Sequence, residues 1–225
     1  MHQRPRKLKA AIFDLDGLLI DSEPLWQQAE MEEFGRLGLK LTRAEAQETL
    51  GIRSDEVVRI RHQQIGWDLT ADPLDEVEAR IVARVCDLVS DVGEAMEGAH
   101  QAIDFCAARG SRLALASSSR MVVIEAALRR LGISNRFEVI YSAENEPLGK
   151  PDPGVYLTTA QRLGVEPVEC LALEDSPAGV AAAKAAGMRC VVVPDRSAIG
   201  DPRLELADLE LASLADLDEA AWARL

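Results

Sequence analysis

The second half of the sequence alternates short apolar runs with segments of helical pattern, and this alternation restricts the fold more than any other feature. Three helical segments, 121–132, 152–164 and 177–187, each end at a glycine, and the last two carry a proline near their start. Such ends are typical of helices. The apolar runs are 10–13, 112–118, 138–144, 170–176, 189–195 and the short 207–213. We therefore predict an α/β fold with a doubly wound, mainly parallel sheet.

Residues 22–92 have a different pattern, that of consecutive helices without strands. The clearest of these helices spans 72–91, where Asp72 can cap the first turn and one apolar stripe runs along the length. The stripe consists of Leu74, Val77, Ile81, Val85 and Leu88. We interpret 22–92 as an all-α subdomain inserted into an α/β core that comprises 1–21 and 93–225.

Polar side chains follow three of the predicted strands at the point where each strand ends. Asp14 and Asp16 come directly after the run 10–13, where carboxylates are costly to bury unless a cation or a proton compensates them. Ligands of open α/β sheets bind outside the carboxyl ends of the strands, so residues at these ends share one space. That space receives Asp14, Asp16, Ser117, Glu174 and Asp175 from strand ends and Lys150 from the segment GKPDPG.

The composition of this predicted pocket indicates its chemistry. Four carboxylates that converge on a single lysine need a hard divalent cation, and all-oxygen ligation suits Mg²⁺. With Lys150 and the Ser117 hydroxyl, the metal would form a positive site for a phosphate on an otherwise acidic protein, as phosphoryl transfer requires. Of the pair Asp14 and Asp16, one could attack phosphorus while the other handles the proton.

Charge and composition disfavour several other classes of function. The 225 residues carry a formal net charge of −13, which opposes broad attraction to nucleic acid or to an anionic membrane surface. No apolar run approaches the roughly 20 residues of a membrane span. The basic start MHQRPRKLKA lacks the apolar core of a secretory signal, and the four cysteines, far apart in the sequence, suit reduced thiols. We expect a cytoplasmic enzyme without a nucleic-acid or membrane partner.

Four segments in order along the chain resemble the four motifs of the haloacid dehalogenase-like hydrolase superfamily. The segments are DLDGLLIDSE, LALASSS, GKPDPGVYL and LEDSPAGVAAAKAAG. The resemblance covers nearly the whole chain and points to the sugar-phosphatase branch. It implies a Rossmann-like core that carries a helical cap just after the first motif.

The resemblance also implies roles for the motif residues. Asp14 would be the nucleophile that forms an aspartyl-phosphate, and Asp16 would be the general acid and base. Ser117 would bind the phosphate with help from backbone donors at Ser118. Lys150 would steady both the nucleophile and the phosphate.

The metal and the substrate follow from the same resemblance. Asp175, with Glu174, would hold Mg²⁺ alongside Asp14 and the main-chain carbonyl of Asp16. The implied activity is Mg²⁺-dependent hydrolysis of a small sugar or sugar-alcohol phosphate, by a monomer or a weak dimer.

Two residues of the helical insert have more than one interpretation. Arg53 lies between two predicted helices, where its guanidinium could bind a phosphate or sugar hydroxyls, or simply be exposed at a helix start. Trp26 is either an apolar residue of the first helix of the insert or part of the floor of the pocket.

Three competing functions share some of these features. Sugar-phosphate mutases that resemble β-phosphoglucomutase share all four motifs, but those carry a histidine twelve residues after the nucleophile, where this sequence has Trp26. Dehalogenases of the superfamily lack the second acid of the pair, which here is Asp16. Receiver-type signalling modules also gather acids, a hydroxyl and a lysine around a phosphorylated aspartate, but they are about half as long and have no helical insert.

Overall fold

A parallel sheet forms the centre of the computed structural model, which describes residues 7–49 and 51–225 apart from the side chains of residues 43 and 47. Six strands pair in the order β3-β2-β1-β4-β5-β6, and every strand pairing is parallel within the described residues. The prediction of an α/β fold with a doubly wound parallel sheet is confirmed. In chain order the strands are β1 (Ala10–Phe13), β2 (Arg112–Ser117), β3 (Val139–Ser142), β4 (Cys170–Glu174), β5 (Arg189–Val192) and β6 (Leu209–Glu210).

Helices connect and cover the strands. They are α1 (Glu23–Arg36), α2 (Arg43–Gln47), α3 (Ser54–Ile65), α4 (Leu74–Val92), α5 (Ala99–Ala108), α6 (Met121–Leu131), α7 (Gly154–Leu163), α8 (Pro177–Ala185) and α9 (Glu219–Trp222). Helices α1 to α4 fall within residues 22–92, which we call the cap, and the rest of the chain we call the core; this division stays a prediction. None of the helices in the described part of the chain has both the length and the apolar character needed to traverse a bilayer. Most of the basic start, residues 1–6, lies outside the described residues.

The side chains of β1 alternate between two apolar layers. Ala10 and Ile12 pack with residues of α7 and α8, whereas Ala11 and Phe13 pack with residues of α4, α5 and α6. All four side chains are fully buried. This alternation follows from the two-residue period of a strand, and it explains why the run is apolar throughout.

Helix α4 joins the cap to the core. Its apolar stripe is buried at Val77, Ile81 and Val85, and the helix packs against α1 and α3 within the cap and against α6 of the core. The stripe predicted from the sequence therefore serves two interfaces. The cap shares one apolar layer with the sheet.

The start of α4 differs from the prediction. Pro73 occupies the position before the helix, and Asp72 does not cap it. The Asp72 carboxylate instead accepts hydrogen bonds from Arg36 of α1 and, at 2.8 Å, from Arg80 of α4. Here donor and acceptor are both charged, so the two guanidinium groups satisfy the carboxylate without the backbone amides of the first turn.

Candidate active site

The carboxyl end of β1 is the centre of the site. β1 lies between β2 and β4, and its next residue, Asp14, donates its N–H to the carbonyl of Leu173 at 3.0 Å. The chain then turns at Gly17, whose φ is 76°. A Cβ at this position would collide with the carboxylate of Asp175, so only glycine allows the ends of β1 and β4 to approach this closely.

Lys150 is buried among the acids and holds two of them. Its Nζ donates to Asp14 Oδ1 and to Glu174 Oε1, both at 2.6 Å, and to the carbonyl of Ala116 at 3.3 Å. Burial opposes the ammonium charge, but the two carboxylates outweigh it and raise the pKa of Lys150. The hydroxyl of Tyr156 also donates to Glu174 Oε1. The lysine is therefore a fixed positive charge beside Asp14.

Three carboxylates form a cluster that fits a cation. Oxygens of Asp14, Glu174 and Asp175 lie within 4.8 Å of one another, and all three side chains are buried. Burial raises the pKa of Asp14 to about 7 although Lys150 opposes the shift, and burial together with Asp14 raises the pKa of Asp175. Buried, all-oxygen acids that a single lysine does not neutralise have the chemistry of a site for a hard divalent cation.

The carboxylate of Asp16 lies apart from this cluster and is held by four donors. Ser22 Oγ and Trp26 Nε1 donate to Oδ1 at 2.7 and 3.0 Å, and Ser119 Oγ and Ser117 Oγ donate to Oδ2 at 2.6 and 3.3 Å. Two of the donors come from the start of the cap and two from the segment after β2. Donors from the cap thus hold Oδ1 of Asp16, and donors from the core hold Oδ2.

The serines after β2 have different surroundings. Ser117 Oγ accepts the N–H of Ser119 at 3.0 Å, whereas Ser118 Oγ is buried and has no hydrogen-bond partner among the described residues. Neither Ser118 nor Ser119 caps α6, because Arg120 occupies the position before the helix. The helix begins at Met121, whose N–H donates to Glu144 at 3.1 Å.

A cavity between core and cap connects these groups. The core side of its lining includes Asp14, Asp16, Ser117, Ser118, Lys150 and Asp175. The cap side includes Glu23, Trp26, Gln27, Glu30, Thr49 and Ser54. Lys150 is the one basic residue among the described residues that line it. The core side is therefore suited to phosphate and metal, and the described cap side combines polar with apolar side chains such as Ile52 and Val57 and has no positive charge.

The structure places Arg53 outside the lining of this cavity. Its Nε and Nη2 donate to Asp55 at 2.9 and 2.7 Å, and its Nη1 donates to the carbonyls of Ala143 and Glu146 at 3.2 and 2.9 Å. The guanidinium joins the cap to the core segment that follows β3. Trp26, in contrast, does line the cavity, in agreement with the second of its two interpretations.

Four further residues contact the site and were not predicted. Ser22, Ser119 and Tyr156 lie within the four motifs, but nothing in the sequence pairs them with Asp16 or Glu174. Glu30 lies outside every motif. The sequence feature that could have identified Glu30 is its spacing from Glu23, since residues seven apart lie on one face of a helix.

A family model described as haloacid dehalogenase-like hydrolase matches residues 8–187. Hexitol phosphatase B of Escherichia coli (strain K12) is 43% identical to the chain over 95% of its length and 96% of the relative. The four motifs thus lie in a sequence that is similar along its whole length to a protein of that name.

Two solved structures have the same fold. CbbY from Rhodobacter sphaeroides, in complex with phosphate, superposes with a TM-score of 0.85 and 29% identity over 93% of this chain and 96% of that one. A β-phosphoglucomutase from Clostridium difficile gives a TM-score of 0.84 at 22% identity over 96% of each chain, a likeness of fold alone. The resemblance drawn from the motifs is confirmed by these matches.

Proposed function

We propose that this chain, which belongs to the haloacid dehalogenase-like hydrolases and is a phosphatase, hydrolyses the phosphate ester of a small sugar or sugar alcohol with Mg²⁺. The observation that carries the mechanism is the separation of two carboxylates in one cavity. Asp14 is paired with Lys150, and Asp16 is held by four neutral donors. Support for the substrate comes from the relative named for hexitol phosphates, which is similar over 95% of the chain.

The two carboxylates divide the chemistry between them. Lys150 holds Oδ1 of Asp14, and the other oxygen attacks phosphorus as the ester P–O bond breaks. Asp16 gives its proton to the leaving oxygen, which departs as the sugar hydroxyl. Asp16 then takes a proton from water, the water oxygen attacks phosphorus, and the bond to Asp14 breaks to release inorganic phosphate.

The surrounding residues bind the phosphoryl group and the metal. Asp14 and Asp175, with Glu174 alongside, would hold Mg²⁺, which supplies positive charge to the phosphoryl oxygens. Ser118 lines the same cavity, where its backbone N–H would donate to phosphate. Lys150 supplies the remaining positive charge.

A mutase is the nearest rival, and the cap side of the cavity disfavours it. A mutase must bind a bisphosphate, whose second phosphate needs positive charge remote from Asp14. Glu23 and Glu30 lie on that side instead, and Lys150 is the one basic residue in the described lining. Trp26 donates to Asp16 through an N–H that neither accepts nor releases a proton near neutral pH. These features support release of phosphate to water.

A signalling module and a dehalogenase fit the site less well. Asp16, oriented by four donors, argues for turnover of the phospho-enzyme rather than for a stable signalling modification or for removal of a halide. A cytoplasmic location is also our proposal, since all four cysteines are free thiols and such thiols suit a reducing compartment.

The proposed function is tested by phosphate release from the purified protein. With Mg²⁺ present, glucitol 6-phosphate or 2-deoxyglucose 6-phosphate should yield free phosphate. Asp14→Asn should lower that rate by at least about a thousandfold, because no other group replaces the nucleophile. Asp104→Asn, at an exposed carboxylate of α5 that pairs with Arg136, is the matched control and should retain the rate.

The same experiment separates hydrolysis from mutase activity. β-Glucose 1-phosphate is added with and without a trace of the bisphosphate, and both glucose 6-phosphate and free phosphate are measured. Glucose 6-phosphate that forms faster than free phosphate would contradict the proposal. Retention of more than about a tenth of the activity in Asp14→Asn would contradict the assigned nucleophile.

A further inference from the structure

Glu30 is a buried carboxyl group that lines the cavity, and no described residue pairs with it. It lines the cap side, is only 8% exposed, and has no hydrogen-bond donor among the described residues. A buried polar group without a partner is costly, so such a group in a cavity indicates a ligand that completes it.

Glu30 belongs to a row of polar side chains on one face of α1. Glu23, Gln27 and Glu30 follow at helical spacing, and all three line the cavity. Gln27 Nε2 donates to Glu23 Oε1 at 2.9 Å, so these two side chains satisfy each other in part. Glu30, the third member, is the one left for a ligand.

The nearest cation does not serve as its partner. Arg61 is buried in the cap, but its guanidinium donates to the carbonyl of Glu45, to Thr49 Oγ1 at 3.4 Å and to Gln64 Oε1 at 3.2 Å. The Nε of Arg61 has no partner among the described residues, but the guanidinium forms no ion pair with Glu30 there, so such a pair does not explain the burial of Glu30.

Burial also determines what Glu30 can offer. Burial and the neighbouring Glu23 raise the pKa of Glu30 to about 8, although Arg61 opposes the shift. Near neutral pH the group is mainly a carboxylic acid, which donates one hydrogen bond and accepts others. Hydroxyl groups match both properties, whereas an anionic group would lie beside two acids on a side of the cavity that no described basic residue lines.

We propose that Glu30 is a specificity residue that binds a hydroxyl of the leaving group at the end remote from phosphate, and so selects uncharged polyols over leaving groups that end in an anion. This inference rests on the proposed function, since it assumes that phosphate lies at the core side of the cavity. It assigns the choice of substrate to α1. A site that hydrogen-bonds a hydroxyl rejects analogues that leave its polar group unpaired.

Two substrates that differ at one carbon test the inference. Glucitol 6-phosphate and 6-phosphogluconate have the same chain length, but the first ends in a hydroxymethyl group and the second in a carboxylate. We expect kcat/KM of the wild type to favour glucitol 6-phosphate by about a hundredfold or more, since an anion cannot pair with the cap side.

Three variants identify the residue responsible. Glu30→Leu should lower the ratio of the two kcat/KM values at least tenfold, whereas Glu30→Gln, which keeps a donor and an acceptor, should stay within about threefold of the wild type. The matched control is Glu32→Gln on the same helix, where the carboxylate is exposed and pairs with Arg84; its ratio should equal that of the wild type. Thermal unfolding checks that each variant folds.

Several results would overturn the inference. The wild type could show no preference for glucitol 6-phosphate over 6-phosphogluconate. Glu30→Leu could keep the wild-type ratio of the two kcat/KM values. Finally, Glu30→Gln and Glu30→Leu could lower this ratio equally. Hydrolysis of p-nitrophenyl phosphate by the wild type tests the phosphatase activity separately. Binding of both sugar phosphates to Asp14→Asn, measured by calorimetry, repeats the comparison without turnover, so equal affinities there would also overturn it.

Discussion

Trp26 belongs to the cap, yet its indole lies 3.0 Å from the carboxylate of Asp16 in the core. The indole N–H shares Oδ1 with the hydroxyl of Ser22, while Ser119 occupies the other oxygen. A tryptophan only donates, so it orients the carboxylate without exchanging a proton with it. The carboxylate of Asp16, the proposed general acid and base, therefore keeps a defined orientation as long as the cap stays in place.

This contact leads to a prediction for Trp26→Phe, which keeps most of the apolar volume and removes the N–H. We expect kcat to fall roughly tenfold and KM to change less, because the loss concerns the orientation of Asp16 rather than the binding of the sugar. Steady-state phosphate release measures both constants. Trp222→Phe is the control, since Trp222 packs on Phe105 and Arg109. An unchanged kcat would mean that the other three donors suffice.

At the scale of elements, two arginines join the cap to the core, one from each side. Arg120, which precedes α6, donates to both oxygens of Glu78 on α4 at 2.7 and 2.6 Å, and Ser54 donates to the same carboxylate. Arg53, from the cap, donates to two carbonyls of the core after β3. Both contacts hold the cap in the closed arrangement that forms the cavity.

Removal of one of these contacts should loosen the cap. In Arg120→Met the Glu78 carboxylate keeps its burial but loses its ion pair, which favours local opening. We expect amide hydrogen exchange in α4 to accelerate about tenfold and KM to rise. Arg129→Met is the matched control, because Arg129 is exposed on α6 and pairs with the exposed Glu125 of the same helix at 3.6 Å. Equal exchange in both variants would show that packing alone holds the cap.

At the scale of the whole molecule, the protein carries a net charge of −13 and also buries three acids together. Burial raises the pKa of Asp14 to about 7 in the folded state. A carboxyl group whose pKa is raised by folding stabilises the protein at low pH, and this stability is lost as the pH rises toward the folded pKa. A bound cation would replace the proton and reverse that loss.

Magnesium should therefore raise the melting temperature more at pH 8 than at pH 5.5, where protons compete for the same oxygens. At a Mg²⁺ concentration of about 100 times its Kd, we expect the melting temperature at pH 8 to be roughly 5–10 °C above that of chelator-treated protein. Thermal unfolding followed by calorimetry measures it. Asp175→Asn should lose most of the gain, and Asp201→Asn, at a partly exposed acid paired with Arg203 and outside the carboxylate cluster, should keep it. Identical melting temperatures with Mg²⁺ and with chelator at pH 8 would contradict the metal site.

Local patterns were sufficient to predict the sheet, because the apolar runs and the glycine-terminated helices depend on neighbours in sequence. The last strand is an exception: β6 covers only Leu209–Glu210 of the predicted run 207–213. Asp208 donates its backbone N–H to the carbonyl of Cys190 at 2.9 Å, but its side chain accepts the N–H of Cys190 at 2.7 Å, and regular pairing with β5 starts at Leu209.

The site was predictable as a set of residues but not as a set of contacts. The motifs identify Asp14, Asp16 and Lys150 as neighbours at strand ends. They do not show that Arg53 donates hydrogen bonds to carbonyls more than 80 positions away. Nor do they show that Glu30 has no partner in the described part of the chain. Such pairings depend on how the cap lies on the core, and no local pattern encodes that geometry.

The position of β1 in the sheet has a consequence for synthesis of the protein. β1 is the first strand along the chain, but it lies inside the sheet, where Ala10 pairs with both Arg112 and Cys170. Until the ribosome has delivered β2 and β4, both edges of this apolar strand are open to wrong partners. Contacts so distant in sequence form slowly. Among the described strands, the one that precedes the proposed nucleophile therefore has the partner most distant in sequence, and its edges stay unpaired longest in a nascent chain.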